Sequence, residues 1–426
     1  MLSVEDALAL ILKTATPLPQ KTLQLIQSLG FVLADSVVGE LSVPPFDKSL
    51  MDGYALRSSD FQAGMRTYRV TGEVTAGKVP THTVGSGEAV RVMTGASIPT
   101  GADAVVIVEQ TATGRFDDLP DDQLQITAQQ VHPEQHILRK GAVARPGSPV
   151  VSAGTLLRPQ EIAALAESGI PHVQVYSQPR VSILATGDEI VPLGQPLKPG
   201  QIWNSNEPML AAQMAIAGAV PQPLGAAADD PAQLRERIQE GLKSDVLLLS
   251  GGVSAGKKDL VPAELERAGV RQVFHKIDMK PGKPLWFGIS TQESRDGGPP
   301  AHRCLVFGLP GNPVSSMVCA ELFVRPALLK LRGIQLSGPP RHSARLVQPY
   351  HMRGDRPTYH PARLFFQGSE LCVELVDWIG SSDLRATVHA NGLIFLPAGD
   401  KQYAPGDLMT VVSWQQLPTA ETSPKA

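Results

Sequence analysis

At 426 residues, with 42% hydrophobic and 19% charged side chains, the chain is too long for one ordinary core, and length alone gives roughly three domains. Its 38 basic and 41 acidic residues leave a formal net charge of -3 with no long run of either sign. That excludes a broad nucleic-acid or anionic-membrane footprint and leaves small molecules or other proteins as partners. The 37 prolines and 39 glycines argue for turns and strands over a helical bundle, and Cys304, Cys319 and Cys372, dispersed in apolar surroundings, argue against a disulfide framework or a thiolate zinc site.

The N-terminus places Val4, Ala7, Leu8, Ile11 and Leu12 at helical spacing, with Ser3 as N-cap before Glu5 and Asp6. Acids ahead of this apolar stretch do not suit a signal peptide, and no run reaches the length of a membrane span, so a cytoplasmic protein with reduced cysteines is expected. A second helix is expected from Lys21 to Leu29, ending at Gly30. From 39 to 133 short β-type runs take over ("TYRVTGEV", "GEAVRVMTG", "ADAVVIVEQ"), which reads as an inserted β-rich domain. A helix returns at "RPQEIAALAESG", with Pro159 near its start and Gly169 at its end, so the insert separates the halves of a discontinuous N-terminal domain, 1–38 and 134–176.

From 177 to 334 strands alternate with helices, the pattern of a mostly parallel sheet flanked by helices. Within it "PLWFGI" and "CLVFGL" read as a hairpin with a polar tip at 291–301. A small β-domain from 335 to 418 and a frayed tail, 419–426, complete the expected class: multidomain α/β plus β, with a central α/β domain, an inserted β-rich domain, a discontinuous helical N-terminal domain and a small C-terminal β-domain.

In open α/β sheets ligands gather outside the carboxyl ends of the strands. The segments expected there are "TGDEI", "ADDP", "SGGVSAGKKD", "MKPGKP" and "GLPGNP", so one rim collects acids, glycines and lysines. Asp230 is most simply the N-cap of a helix with Pro231 at its first position, whereas Asp229 has no such duty. Lys257, Lys258, Lys280 and Lys283 are either solvated side chains or neutralise phosphate. Successive amides of Gly251, Gly252, Ser254 and Gly256 suit an anion nest, and Glu189, Asp229 and Asp259 suit a hard cation such as Mg²⁺. "GVSAG" also matches the nucleophile elbow of serine hydrolases, which would make Ser254 a nucleophile, although the elbow needs its serine at a tight strand-to-helix turn and no oxyanion segment precedes it. In "GLPGNP", Asn312 and Pro313 make a well-formed helix start, and Pro310 and Gly311 stiffen its approach.

Taken in order over nearly the whole chain, "VPPFDKSLMDGYAL", "VMTGASIPTGADAVV", "ATGDEI", "DDP", "SGGVSAGKKD", "MKPGKP" and "GLPGNPVSS" resemble the molybdopterin molybdenumtransferases, the family of bacterial MoeA and the E-domain of gephyrin. The resemblance implies an elongated homodimer with an active site shared between subunits, and insertion of molybdate into adenylylated molybdopterin with Mg²⁺-assisted release of AMP. It implies that Asp52 and Thr94 act from the insert, and that Glu189, Asp229 and Asp259 are the acids of the rim and hold the metal. Lys276 and Lys280 resemble the family's basic pair, Pro310 and Pro313 its loop prolines, and Ser381 its serine from the last domain; Lys283, Gly311 and Asn312 complete the binding set. A separate molybdopterin adenylyltransferase and molybdoenzyme acceptors are the implied partners. A non-catalytic scaffold, in the manner of gephyrin, is the alternative. Two departures stand out: "RKGAVARPG" puts an apolar residue near Val143 where relatives carry an acid, and Pro361 replaces the arginine of the last domain, with Arg363 displaced.

Overall fold

The computed structural model describes residues 1–116, 122–253, 260–292, 302–336 and 338–414. Ser254, Gly256, Lys257, Lys258 and Asp259, most of the expected hairpin tip and the tail fall outside the described residues. The chain forms two compact units: Met1–Ala34, Gly154–Arg158 and Val173–Ala426 make one, and Asp35–Ala153 with Pro159–His172 make the other.

The first unit is built on a six-stranded sheet in the order Val220–Ala227, Arg180–Thr186, Val246–Ser250, His302–Leu309, Trp286–Gln292, Arg271–His275. The first four strands are parallel; Trp286–Gln292 joins them antiparallel through the expected hairpin, and Arg271–His275 pairs antiparallel with Trp286–Gln292 and so runs with the first four. A strand covered on both faces reads as a continuous apolar run, and all five residues of Val246–Ser250 are buried. Their alternation divides the core. Val246 and Leu248 pack with the N-terminal helix and the helices beyond Asn312, while Leu247 and Leu249 pack with Leu234, Ile238 and Leu265 of the helices Pro231–Gly241 and Val261–Arg267.

The first helix, Val4–Thr14, has the expected cap, with Ser3 accepting from the Asp6 amide, and all five periodic residues are buried. The expected helix from Lys21 to Leu29 is absent. Gln20–Gln24 is instead a strand paired with His172–Tyr176, followed by a single tight turn, Leu25–Gln27. Leu25 alone of the turn is buried, whereas Ile26 and Leu29 are 81% and 60% exposed, so the apolar stripe that suggested a helix has no core to face. A short pairing of Val37–Val38 with Pro149–Val151 ties together the two segments that flank the insert.

The last part of the chain closes a five-stranded barrel from Arg341–Leu346, Glu370–Leu375, Thr358–Gln367, Gly392–Leu396 and Leu408–Ser413. It is stitched to the α/β part through Lys280, whose amide donates to the Pro357 carbonyl (2.8 Å) and whose carbonyl accepts from Tyr359 (2.7 Å). No described helix is long and apolar enough to cross a membrane. The three cysteines are buried and free, and burial pushes the Cys304 and Cys319 thiols well above their ordinary range.

The second unit carries a five-stranded sheet in the order Ala104–Ile107, Gly53–Leu56, Glu88–Val92, Thr67–Val74, Gln123–Gln125. Gly53 is glycine because of its neighbour: a Cβ there would lie 2.1 Å from the Val106 carbonyl oxygen. At the adjoining turn the Asp52 carboxylate accepts the Thr94 amide (2.6 Å) and hydroxyl (2.8 Å), and these two bonds hold its carboxyl below the usual carboxylate range. Gly53→Ala is expected to destabilise this unit by about 3 kcal/mol, or roughly a hundredfold in opening. Hydrogen exchange should quicken in peptides covering 53–56 and 104–107, and remain unchanged in the strand Val246–Ser250. Thr94→Val, which removes the hydroxyl bond and keeps the amide bond, should raise the Asp52 pKa part of the way toward the ordinary aspartate value, as read by an NMR titration. Because folding favours the ionised carboxyl, its contribution is present above the ordinary aspartate pKa and fades as pH falls through the depressed one.

Candidate functional site

Three parallel strands end side by side: Arg180–Thr186 leads into Gly187, Val246–Ser250 into Gly251, and His302–Leu309 into Pro310. Their ends line a cavity of about 730 Å³, joined by Glu189, Trp203, Asn204, Asn206 and Asp229, and by Ser382 and Leu384 from the last part of the chain. Gly251 lies at φ +102°, where a Cβ would sit 2.6 Å from the Thr186 carbonyl oxygen, so the strand can turn here only without a side chain. Its amide donates to the Leu309 carbonyl (3.1 Å), so the amides a ligand meets in this loop begin at Gly252.

Two asparagines hold the wall of this cavity. The Asn206 amide nitrogen donates to Ser250 Oγ (2.7 Å) and to the Gly311 carbonyl (2.8 Å), joining neighbouring strand ends. Asn312 occupies the N-cap of Pro313–Cys319, and its carbonyl accepts from the Ser316 amide, but its side chain does not cap the helix. Its Nδ2 donates instead to Ser381 Oγ (2.8 Å), its Oδ1 accepts from Ser382 (3.3 Å), and the Ser381 carbonyl accepts the Val314 amide (3.1 Å). The Ser316 hydroxyl donates back to the Pro310 carbonyl, closing the loop on itself.

Beyond that wall lies a smaller cavity of about 280 Å³, lined by Lys280, Lys283, Arg356, Ser315, Ser381 and Trp378, and sharing Pro284, Pro310 and Asn312 with the larger one. Among the described residues its lining carries three cations and no carboxylate, the setting for a compact oxyanion. Among the described residues the larger cavity carries carboxylates instead. Glu189 and Asp229 both line it, together with side-chain amides, an all-oxygen donor set suited to a hard cation that takes further ligands from water and phosphate. Among the described residues, no three His, Cys, Asp or Glu side chains come close enough to hold a metal by themselves.

Of the residues expected from the sequence, Glu189, Asp229, Gly251, Gly252, Pro310, Gly311, Asn312 and Pro313 line the larger cavity, and Lys280, Lys283, Pro310, Asn312 and Ser381 the smaller. Asp230 caps its helix, accepting from Ala232 (3.1 Å) and Gln233 (2.8 Å). Lys276 lines neither cavity; it sits at φ +70°, its amide bonded to the Leu285 carbonyl. Asp52 and Thr94 are bonded to each other within the second unit. Val143 is 66% exposed there. Arg356 was not expected. Pro361 is buried in its strand opposite Leu393, and Arg363 lies over the Phe365 ring near Glu374, so the guanidinium of the smaller cavity comes from five residues ahead of the position where the motif suggested one. Its only sequence signal is a turn, "RGDRP", which passes for loop chemistry.

Residues 2–169 match the MoeA N-terminal region (domain I and II), 182–330 the probable molybdopterin binding domain, and 343–414 the MoeA C-terminal region (domain IV). The chain is similar to a molybdopterin molybdenumtransferase of Nostoc sp., at 35% identity over 91% of this chain and 87% of that one. It is similar also to one of Haemophilus influenzae, at 33% identity over 98% and 100%. Among solved structures it resembles the molybdopterin biosynthesis MoeA protein of Pyrococcus horikoshii, with a TM-score of 0.77 and 27% identity over 97% of this chain and 100% of that one. The three matched regions follow one another along almost the entire chain, and the full-length relatives carry the same name: the chain belongs to the family of molybdopterin molybdenumtransferases.

Proposed function

We propose that this protein inserts molybdate into adenylylated molybdopterin and releases AMP, a step of molybdenum cofactor biosynthesis. The observation that carries this reading is the pair of adjoining cavities, which among the described residues carry two carboxylates in one and three cations in the other, and share the Pro310 and Asn312 wall. The larger takes the adenylylated pterin and its phosphates. Glu189 and Asp229, with Asp259 carried over by motif, would hold Mg²⁺, which when bound offsets phosphate charge and eases departure of AMP. In the smaller cavity Lys280, Lys283 and Arg356 neutralise the tetrahedral dianion of molybdate, and the Ser381 hydroxyl, already fixed by Asn312, orients it. The proline-glycine loop between them is ordered before the substrates arrive, so binding does not have to order it. The shared name of the full-length relatives favours this reading over a non-catalytic scaffold.

We propose further that the protein acts as a homodimer in which Asp52 and Thr94 of one subunit complete the site of the other. Phe46, Leu50 and Met51, 41%, 45% and 40% exposed close to Asp52 in sequence, support a surface there that is covered in the working protein. The three buried free cysteines support a reducing, cytoplasmic setting. A separate molybdopterin adenylyltransferase would supply the substrate, and molybdoenzymes would receive the product.

AMP release from adenylylated molybdopterin with Mg²⁺ should depend on molybdate; release that ignores molybdate would falsify the reading. Lys280→Gln and Arg356→Gln should each raise the molybdate concentration for half-maximal rate by about ten- to a hundredfold, as expected for losing one charge-assisted contact. For the shared site, Asp52→Ala and Glu189→Gln proteins, each inactive alone, should recover roughly a quarter of the wild-type rate when mixed, unfolded and refolded together. No recovery, with mixed dimers present, would place each site within a single subunit.

A further inference from the structure

Apart from Trp203, the described residues lining the larger cavity include no aromatic ring. We infer that the face of Trp203 is the stacking platform for a flat heteroaromatic ring of the substrate, an inference that rests on the function proposed above. Trp203 is 51% exposed and its neighbour Ile202 55% exposed, an unfavourable display of apolar surface unless something covers it. Its single polar atom is already used, because the indole N–H donates to the Gln195 carbonyl at 2.9 Å. What remains to offer a ligand is the π-face, which accepts any flat ring in offset contact.

The ring is also held in place. The Ile202 amide donates to the Glu189 carbonyl (2.8 Å) and the Asn204 amide to the Val191 carbonyl (2.9 Å), pairing Ile190–Val191 with Ile202–Trp203. Trp203 therefore sits on the same two-stranded piece that carries Glu189, and the next residue, Asn204, is buried and bonded to Glu207 (2.9 Å). A platform fixed from both sides contributes stacking without first losing freedom of its own. Adenine and pterin are the two flat rings of the proposed substrate, and they share the chemistry that this surface recognises.

The test uses the full chain and binds AMP and molybdopterin separately, by calorimetry and by tryptophan emission. Trp203→Ala should weaken binding of one of the two by about tenfold, the loss expected for one stacked ring. It should raise KM by a similar factor with kcat within about twofold, while Trp203→Phe keeps most of the affinity. Saturation with the stacked ligand should quench emission more strongly in the wild type than in Trp203→Phe, which keeps Trp378 of the smaller cavity, and the ligand whose quenching falls identifies the ring. Three outcomes overturn the inference: folded Trp203→Ala binding both ligands as tightly as the wild type, Trp203→Phe as weak as Trp203→Ala, or a shift in elution volume that makes Trp203 a contact between copies. Wild-type protein that binds neither ligand would remove the proposed function as well.

Discussion

The site depends on the attachment of one loop, 310–313, to a different part of the chain. A helix N-cap ordinarily uses its own side chain to satisfy the first amides of the helix. Asn312 gives that up. Its side chain goes to Ser381 and Ser382, and the Ser381 carbonyl takes the Val314 amide in return. With the Lys280 backbone bonded on both sides to Pro357 and Tyr359, the barrel is fastened to the carboxyl ends of the sheet at two points, and the space between the fastenings is the smaller cavity. Loosening Asn312 would therefore disturb a helix start, a domain contact and a binding wall at once.

Much of this architecture was legible because periodicity is a local property. Alternation or unbroken apolar runs marked the strands of both sheets, and Pro231 and Pro313 marked helix starts that the structure bears out. Lys21 to Leu29 misled for the same reason. Its apolar spacing fits a helix, but whether such a stripe is buried depends on partners distant in sequence, and the partner here is a strand, His172–Tyr176.

The candidate site was legible as a list of segments, because strand ends in a parallel sheet are neighbours by topology. Which side chain faces which cavity was not legible. Lys280 and Lys283 line the smaller cavity and Lys276 does not, although all three lie in one short basic stretch. Arg356 lies outside every motif and reaches the cavity only because the stitch at Lys280 brings the turn before Thr358 against it. A residue delivered by a tertiary contact leaves no mark at its own position in the sequence.

The division of charge gives that wall its purpose. Carboxylates and cations free to meet would pair, and at an effective dielectric near 20 a contact at about 4 Å is worth about 4 kcal/mol before desolvation. Such a pair would neutralise both the cation-binding and the oxyanion-binding groups. Here the two cavities share Pro310 and Asn312, and among the described residues Arg356 pairs with its neighbour Asp355. Proline and a doubly bonded asparagine suit this position, since a flexible wall would let long lysine and glutamate side chains close the gap. In the proposed function, phosphate and an oxyanion would then occupy adjoining compartments, each balanced by its own set of charges.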